Sequence, residues 1–193
     1  WLFEEIRKRS DIRIHALIRP RFGDFCYTDA EFSIIKKAVE DFRKIGAEGV
    51  VFGVLKPDGT LNMEQMKGLM EAAGDMSVTL HRAFDVCVDP LETMEQAISL
   101  GIDTILTSGQ RNTCLQGAKL LKELQDKSKG RITIQAGSGV SAEVIRKLYP
   151  LTGIKAYHMT GKRVIDSEMK FRKKGVNMGL PMFSEYEIWR TEA

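Results

Sequence analysis

Short apolar runs alternate with longer amphipathic segments along the whole chain. Apolar runs of four to eight residues that are rich in Val, Ile and Leu are typical of buried strands. We predict six such strands, at residues 12–18, 49–55, 77–84, 104–107, 131–136 and 154–159. Their starts lie 23 to 37 residues apart, which is the room that a strand, a loop, a helix and a second loop require. The pattern therefore predicts repeated β-α units in one domain over residues 1–193.

Capping signals mark the helix starts between these strands. Thr28 and Glu31 have capping-box spacing, in which each side chain satisfies a free backbone N–H of the first turn. Asp89 stands before Pro90 as a cap before a proline at the first helical position, and Ser141 can cap the helix that follows a Gly-rich turn. Apolar residues at helical spacing predict the inward faces of two helices: Phe32, Ile35, Val39 and Phe42, and then Leu115, Ala118, Leu121 and Leu124.

Repeated β-α units imply parallel strands, and two architectures satisfy that requirement. One is an open doubly wound sheet, and the other is a closed (β/α)₈ barrel. The opening residues have the pattern of the end of an amphipathic helix, with Phe3 and Ile6 inward. This opening favours a barrel whose earlier strands lie upstream of residue 1. In either architecture the chemistry is expected at the carboxyl ends of the strands.

Composition narrows the class of protein. With 43% hydrophobic and 28% charged residues the chain is neither disordered, collagen-like nor a coiled coil. A net charge of +3 predicts no nucleic-acid partner, and no apolar stretch reaches the roughly 18 residues of a membrane span. The three cysteines have neither metal-finger nor CxxC spacing, which predicts a reducing, cytoplasmic location.

Two arginines follow the first predicted strand. Arg19 and Arg21, close to Asp24 and on either side of Pro20, could hold a carboxylate or a phosphate through bidentate hydrogen bonds. The alternative is that they are surface charges, one of them paired with Asp24.

A titratable cluster ends the third predicted strand. His81, Arg82 and Asp85 provide a proton-transfer group, a cation and a carboxylate that could fix the histidine tautomer. The alternative is one inward polar residue together with an ordinary salt bridge. We predict catalytic roles for these three residues and for His158, which could equally be a satisfied core histidine.

Small polar groups follow the later strands. The turn at Gly137 and Gly139 precedes a helix, so its backbone amides could bind an anion, although a tight β-α turn is the alternative. Thr160 could complete the same anion site, and Thr107 and Ser108 lie between the two clusters along the chain. We predict ligand-binding roles for these five residues.

Several of these segments together resemble the CutC family of copper homeostasis proteins. They are IRPR at 18–21, GDF at 23–25, HRAFD at 81–85, LTSG at 106–109, AGSG at 136–139 and MKFR at 169–172, with 49–52 between them. The resemblance extends from about residue 12 to about residue 186. It implies a (β/α)₈ TIM-type barrel that here lacks the first two strands of the family pattern and is truncated at both ends. It also implies a cytoplasmic location, a copper-related role and a dimeric or larger homo-oligomer.

The chain departs from the family pattern at its metal ligands. The proposed Cu(I)-binding cysteines of the family lie on the first two strands, and none of Cys26, Cys87 and Cys114 matches them. We therefore assign no metal-ligating residue, and Cu(I) is the only cofactor expected. The first hypothesis is a copper homeostasis protein that binds Cu(I) weakly or transiently. The second is a barrel enzyme acting on a small anionic substrate, and enzyme status stays open at this point.

Overall fold

The computed structural model describes residues 2–176, 184 and 186–191. Helices and strands alternate through most of this range, with a 3₁₀ turn at Arg82–Val86. The helices are α1 (Leu2–Arg7), α2 (Asp29–Lys44), α3 (Met63–Ala73), α4 (Pro90–Ser99), α5 (Ala118–Ser128) and α6 (Ala142–Thr152). The strands are β1 (His15–Leu17), β2 (Gly49–Phe52), β3 (Ser77–Leu80), β4 (Thr104–Thr107), β5 (Thr133–Ala136), β6 (Ala156–Tyr157), β7 (Lys162–Asp166) and β8 (Glu187–Thr191).

Strands β1 to β6 form one parallel sheet in sequential order. A doubly wound sheet reverses its strand order at a switch point, whereas this sheet adds every strand on the same side. Right-handed crossovers then place the connecting helices on one face. The sheet is therefore the wall of a TIM-type barrel, which confirms the predicted fold class.

The two faces of the sheet have different roles. One face packs on the helices and carries the sheet's buried apolar side chains: Val50, Phe52, Val78, Leu80, Ile105, Ile134 and Ala136. The opposite face, which lines the interior of a barrel, carries Leu17 and Thr79, and Leu17 is 63% exposed. Arg19 and His81 lie just beyond the ends of β1 and β3, at the carboxyl edge of the sheet.

The predicted helix signals are confirmed in three places. Thr28 and Glu31 form the complete capping box, Asp89 accepts hydrogen bonds from the first turn of α4, and Ser141 caps α6. The inward face of α2 is also confirmed, since Ile35 is fully buried. The prediction for Leu115 was wrong, because α5 begins only at Ala118 and leaves Leu115 exposed in the preceding loop.

The third predicted strand ends four residues early. We expected it to continue to Phe84, but β3 stops at Leu80. The ring of His81 accepts a hydrogen bond from the backbone N–H of Ala83 and so caps the 3₁₀ turn that follows. A side chain that binds its own backbone two residues later competes with the strand ladder. The turn carries the HRAFD residues out of the sheet and over its carboxyl edge.

The chain divides into two compact units, Trp1–His158 and Met159–Ala193. The second unit contains the antiparallel pair β7 and β8, in which Val164 is opposite Trp189. The Lys162 ammonium lies 4.9 Å from the centre of the Trp189 ring. Among the described residues, no helix is both long and apolar enough to cross a membrane.

Candidate functional site at the carboxyl ends of the strands

The carboxylate of Asp85 is the most heavily hydrogen-bonded side chain at the carboxyl edge of the sheet. Its side chain is only 6% exposed. It accepts hydrogen bonds from Thr107 Oγ1 at 2.5 Å, the Ser108 amide at 3.0 Å, Ser108 Oγ at 3.0 Å, the Gln110 amide at 3.1 Å and Arg82 Nε at 2.6 Å. These donors fill both carboxylate oxygens. Asp85 therefore ties the end of β3 to the end of β4 and has no lone pair left for a proton-transfer role.

Arg82 is held by the same network but reaches solvent. Its Nη2 donates to Ser108 Oγ at 3.0 Å, and its side chain is 45% exposed. Together with Arg111 it lines an open cavity of about 460 Å³. Thus Arg82, Asp85, Thr107 and Ser108, which the sequence placed in two groups, form one cluster.

His81 is buried, and one of its ring nitrogens is unsatisfied. The residue is 5% exposed. Its Nδ1 accepts from the Ala83 amide at 3.2 Å, which puts the ring proton on Nε2. Nε2 has no hydrogen-bond partner among the described residues. Burial, with a smaller contribution from the charge of Arg19, lowers the pKa of His81 to about 4. At neutral pH this imidazole is an uncharged hydrogen-bond donor.

Arg19 and His81 meet across the ring of Phe25. The Arg19 guanidinium lies 4.6 Å from the centre of that ring, and the His81 ring lies 4.8 Å from it on centroids. Arg19 also donates to the carbonyl of Gly23 at 2.5 Å. No carboxylate in the described part of the chain pairs with Arg19, so its charge is available to a ligand.

Tyr27 is a member of this group that the sequence prediction missed. Its hydroxyl oxygen is buried and has no hydrogen-bond partner in the part of the chain that the structure describes. Burial raises the pKa of Tyr27, while the positive charges of Arg19 and Arg21 and the proximity of the Arg19 donors to the hydroxyl act in the opposite direction. Nothing in the sequence separates this tyrosine from an ordinary core aromatic residue. The signal is the unpartnered hydroxyl, which only the structure shows.

Arg21 is occupied within its own segment. Its guanidinium donates to Glu31 Oε1 at 2.5 Å, to Asp24 Oδ1 at 2.9 Å and to the carbonyl of Cys26 at 2.7 Å. The bonds to Glu31 and Asp24 raise the pKa of Arg21, and the bond from Arg21 lowers the pKa of Asp24. The Thr28 amide, followed by Arg21, lowers the pKa of Glu31. The structure thus places Arg21 and Asp24 in an ion pair, which was the alternative interpretation, and not beside the Arg19 charge.

The Gly-rich turn after β5 is tied to the loop after β4. The Gly137 amide donates to the carbonyl of Thr107 at 2.9 Å, and Ser138 Oγ donates to the carbonyl of Asn112 at 2.7 Å. Gly139 has a φ of 71°, a conformation that favours glycine. His158 follows β6, and a Cβ at Gly137 would lie 3.8 Å from the His158 Cβ. The turn and His158 therefore form a second group, separate from Arg19 and His81. Thr160 is an exposed residue of the second unit.

The three cysteines are free thiols that differ in burial. Cys87 and Cys114 are buried, Cys26 is half-buried, and all three are free. Burial raises the pKa of each thiol, which disfavours the thiolate that binds a metal. Among the described residues, no three His, Cys, Asp or Glu side chains are placed to hold a metal ion.

The fold defines the class of the protein, a (β/α)₈-type barrel, whose polar side chains gather at the carboxyl ends of the strands. A model of the CutC family matches residues 1–163, and the chain belongs to that family. A "family protein CutC" of Bacteroides fragilis strain YCH46 is 47% identical over 176 residues, which are 91% of this chain and 70% of the relative. Another, from Parabacteroides distasonis, is 43% identical over 184 residues, 95% of this chain and 76% of the relative.

Solved structures agree with this assignment. A structure described as "putative copper homeostasis protein CutC", from Streptococcus agalactiae, superposes with a TM-score of 0.76 at 28% identity and covers 81% of this chain and 76% of its own. A "putative deoxyribose-phosphate aldolase" from Coccidioides immitis superposes with a TM-score of 0.59 at 12% identity, over 80% of this chain and 64% of its own. The second likeness shows the barrel fold alone.

Proposed function

We propose that the protein binds a small anionic ligand at the carboxyl ends of its strands, next to Arg19 and His81. One observation carries the proposal: the buried Nε2–H of His81 has no partner in the described chain, and an arginine without a carboxylate partner lies across Phe25 from it. A buried donor left unsatisfied costs about 1–3 kcal/mol. Such groups are rare in native proteins, and a ligand that accepts the hydrogen bond would remove the cost.

The arrangement selects for an acceptor. Guanidinium has only donors, and a neutral imidazole with its proton on Nε2 offers a donor at that position. Burial lowers the pKa of His81 to about 4, so this group acts by hydrogen bonding and not as a proton shuttle at neutral pH. Donors of this kind stabilise negative charge that develops on a carbonyl or phosphoryl oxygen. This is the chemistry by which a barrel enzyme of this type would act on an anionic substrate.

Calorimetry on the full chain tests the proposal. Titration with inorganic phosphate and with small carboxylates should give a measurable heat, and Arg19→Ala should weaken binding by roughly 1.5–3 kcal/mol. Arg111→Ala is the matched control, because it removes one exposed positive charge at the neighbouring cavity. Equal losses in both variants, or no anion binding by the unmodified chain, would contradict the proposal.

A second candidate function is Cu(I) binding in cytoplasmic copper homeostasis, by a dimeric or larger assembly. It is supported by the description of the Streptococcus agalactiae relative as a copper homeostasis protein. Cys26 is the thiol of this chain with the greatest exposure and the one a soft cation would reach first. Competition with a chromophoric Cu(I) chelator under reducing conditions tests it. Cu(I) binding that is lost in Cys26→Ser but kept in Cys114→Ser supports it. Cu(I) binding that survives Arg19→Ala, with no anion binding, would leave copper as the only function.

A further inference from the structure

Phe22 is an aromatic residue in the loop after β1 whose side chain faces solvent. It is 94% exposed, and no other large apolar residue in the described chain is as exposed. Single exposed apolar residues are common on protein surfaces and need no explanation by themselves. Phe22 differs from such residues in its neighbour, because it lies beside Arg19, which the proposed anion site requires.

The Arg19 guanidinium contacts two aromatic rings that have different surroundings. Its central carbon, Cζ, lies 4.6 Å from the centre of the Phe25 ring and 5.7 Å from the centre of the Phe22 ring. Both distances are within the range of a cation–π contact. The Phe25 ring is half-buried and also packs against His81. Phe22 is therefore the ring that has the larger free surface next to the Arg19 charge.

The backbone that carries Phe22 is held in place by two arginine side chains. Arg19 Nη2 donates to the carbonyl of Gly23 at 2.5 Å, and Arg21 Nη1 donates to the carbonyl of Phe22 at 3.4 Å. Gly23 has a φ of 103°, which favours glycine, and its conformation completes the turn. A ligand that contacts the Phe22 ring thus meets an ordered segment, and ordering it on binding costs little.

The surroundings of Arg19 favour a ligand larger than a simple inorganic anion. Arg19 and Phe22 are both exposed residues. Electrostatic attraction at an exposed arginine is weakened by water and by salt. A ligand whose apolar part covers the Phe22 ring buries apolar surface and also excludes water from the neighbouring ion pair. The two contacts therefore strengthen each other when charge and apolar surface belong to one molecule.

We propose that the ligand of the anion site carries an apolar ring next to its charged group, and that this ring packs on Phe22. The inference rests on the proposed function and describes the uncharged part of the same ligand. The ligand class is an organic anion such as an aromatic carboxylate or an aryl phosphate. Arg19 binds the charge, and Phe22 determines specificity for the ring.

Two pairs of probes test the inference on the full chain. Acetate and benzoate share the carboxylate and differ in the ring, and inorganic phosphate and phenyl phosphate differ in the same way. Calorimetry at one pH and one salt concentration should show benzoate binding about fivefold or more tightly than acetate. Phenyl phosphate should exceed inorganic phosphate by a similar factor, which is the scale of an aromatic contact.

Substitution of Phe22 supplies the matched variants. Phe22→Ala should reduce the benzoate-to-acetate ratio to about twofold or less and leave the acetate affinity within about threefold. A merely structural role of Phe22 would weaken both probes alike and leave the ratio unchanged. Tyr149→Ala is the control, because Tyr149 is an exposed aromatic residue near the end of α6, at the amino ends of the strands. The control should keep the full ratio, and Arg19→Ala should weaken all four probes.

The outcomes separate this inference from the proposed function. A ratio near one in the unmodified chain, or a ratio that Phe22→Ala does not change, would overturn the ring contact and keep the anion site. A change of oligomeric state in Phe22→Ala with an unchanged ratio would assign Phe22 to a contact between copies and would also overturn the inference. Absence of binding by all four probes would overturn the anion site itself.

Discussion

His81 and Asp85 lie four residues apart after strand β3 and are almost equally buried, yet their hydrogen bonding is opposite. The carboxylate of Asp85 accepts from five donor atoms, which belong to the 3₁₀ turn, to the last residue of β4 and to the loop after β4. The imidazole of His81 uses Nδ1 for its own backbone and leaves Nε2–H unpartnered among the described residues. Burial alone therefore does not identify a functional group, whereas burial with an unmet donor does.

The same contrast holds for the two arginines of the segment after β1. Arg21 donates hydrogen bonds to Glu31, Asp24 and a backbone carbonyl, whereas Arg19 has no carboxylate partner in the described range. Each strand end thus supplies one residue that holds the framework and one that is available to a ligand. Substitutions at the framework residues should reduce stability, and substitutions at the other two should reduce binding.

The largest effect is expected at Asp85. Asp85→Ala removes a buried carboxylate and leaves the amides of Ser108 and Gln110 and the charge of Arg82 without their acceptor. Each of these backbone donors that is left buried without an acceptor costs about 1–3 kcal/mol, and urea denaturation would measure the total loss. Asp126→Ala is the control, because the exposed Lys122–Asp126 pair contributes about 0.5 kcal/mol or less. Similar losses of unfolding free energy in Asp85→Ala and Asp126→Ala would contradict this prediction.

The stability of the unmodified chain should fall between pH 6.5 and pH 4 because of His81. Its folded pKa of about 4 lies below its ordinary value of 6.5. The unfolded chain therefore binds the proton first as the pH falls. The free energy of unfolding is then highest above pH 6.5 and drops by about 3 kcal/mol on approaching pH 4.

His81→Gln isolates that contribution. Urea midpoints measured at intervals from pH 7 to pH 4.5 should fall less steeply in His81→Gln than in the unmodified chain. The lowered pKa values of Asp24 and Glu31 affect stability at lower pH and in both proteins alike. Parallel curves for the two proteins would show that His81 is not held neutral.

The smallest effect distinguishes the two arginines. Arg21→Ala loses three hydrogen bonds within its segment and should lower the melting temperature more than Arg19→Ala does. Arg19→Ala should show the larger loss of anion binding. Thermal unfolding measures the first loss and calorimetry measures the second, both on the same two variants. If one variant showed the larger loss of melting temperature and also the larger loss of anion binding, the assignment of roles would be wrong.

Much of the fold was predictable from local signals. The strand spacing, the capping box at Thr28 and the caps at Asp89 and Ser141 all act within a few residues, and the structure confirms each. Element boundaries were less predictable. The third strand stops at Leu80 because the side chain of His81 accepts a hydrogen bond from the Ala83 amide. The alternation of apolar and polar residues in the sequence does not predict this hydrogen bond.

The sequence predicted where the polar residues would gather, but not which of them would be held by hydrogen bonds within the protein. HRAFD was correctly expected at a strand end, but the partners of Asp85 lie 22 to 25 residues away on the loop after β4. Spacing along the chain cannot show which polar group those partners will satisfy. Tyr27 was missed for the same reason, because only three-dimensional packing leaves its hydroxyl buried without a partner.

Glu31 connects the start of helix α2 to the segment that carries Arg19 and Phe25. One of its oxygens accepts from the Thr28 amide and the other from Arg21. The Phe25 carbonyl, in turn, accepts from the Leu55 amide at 2.9 Å. The segment is thus ordered before any ligand arrives. Ordering a residue costs about 1–2 kcal/mol in conformational entropy, and this preorganisation spares the ligand that cost on binding.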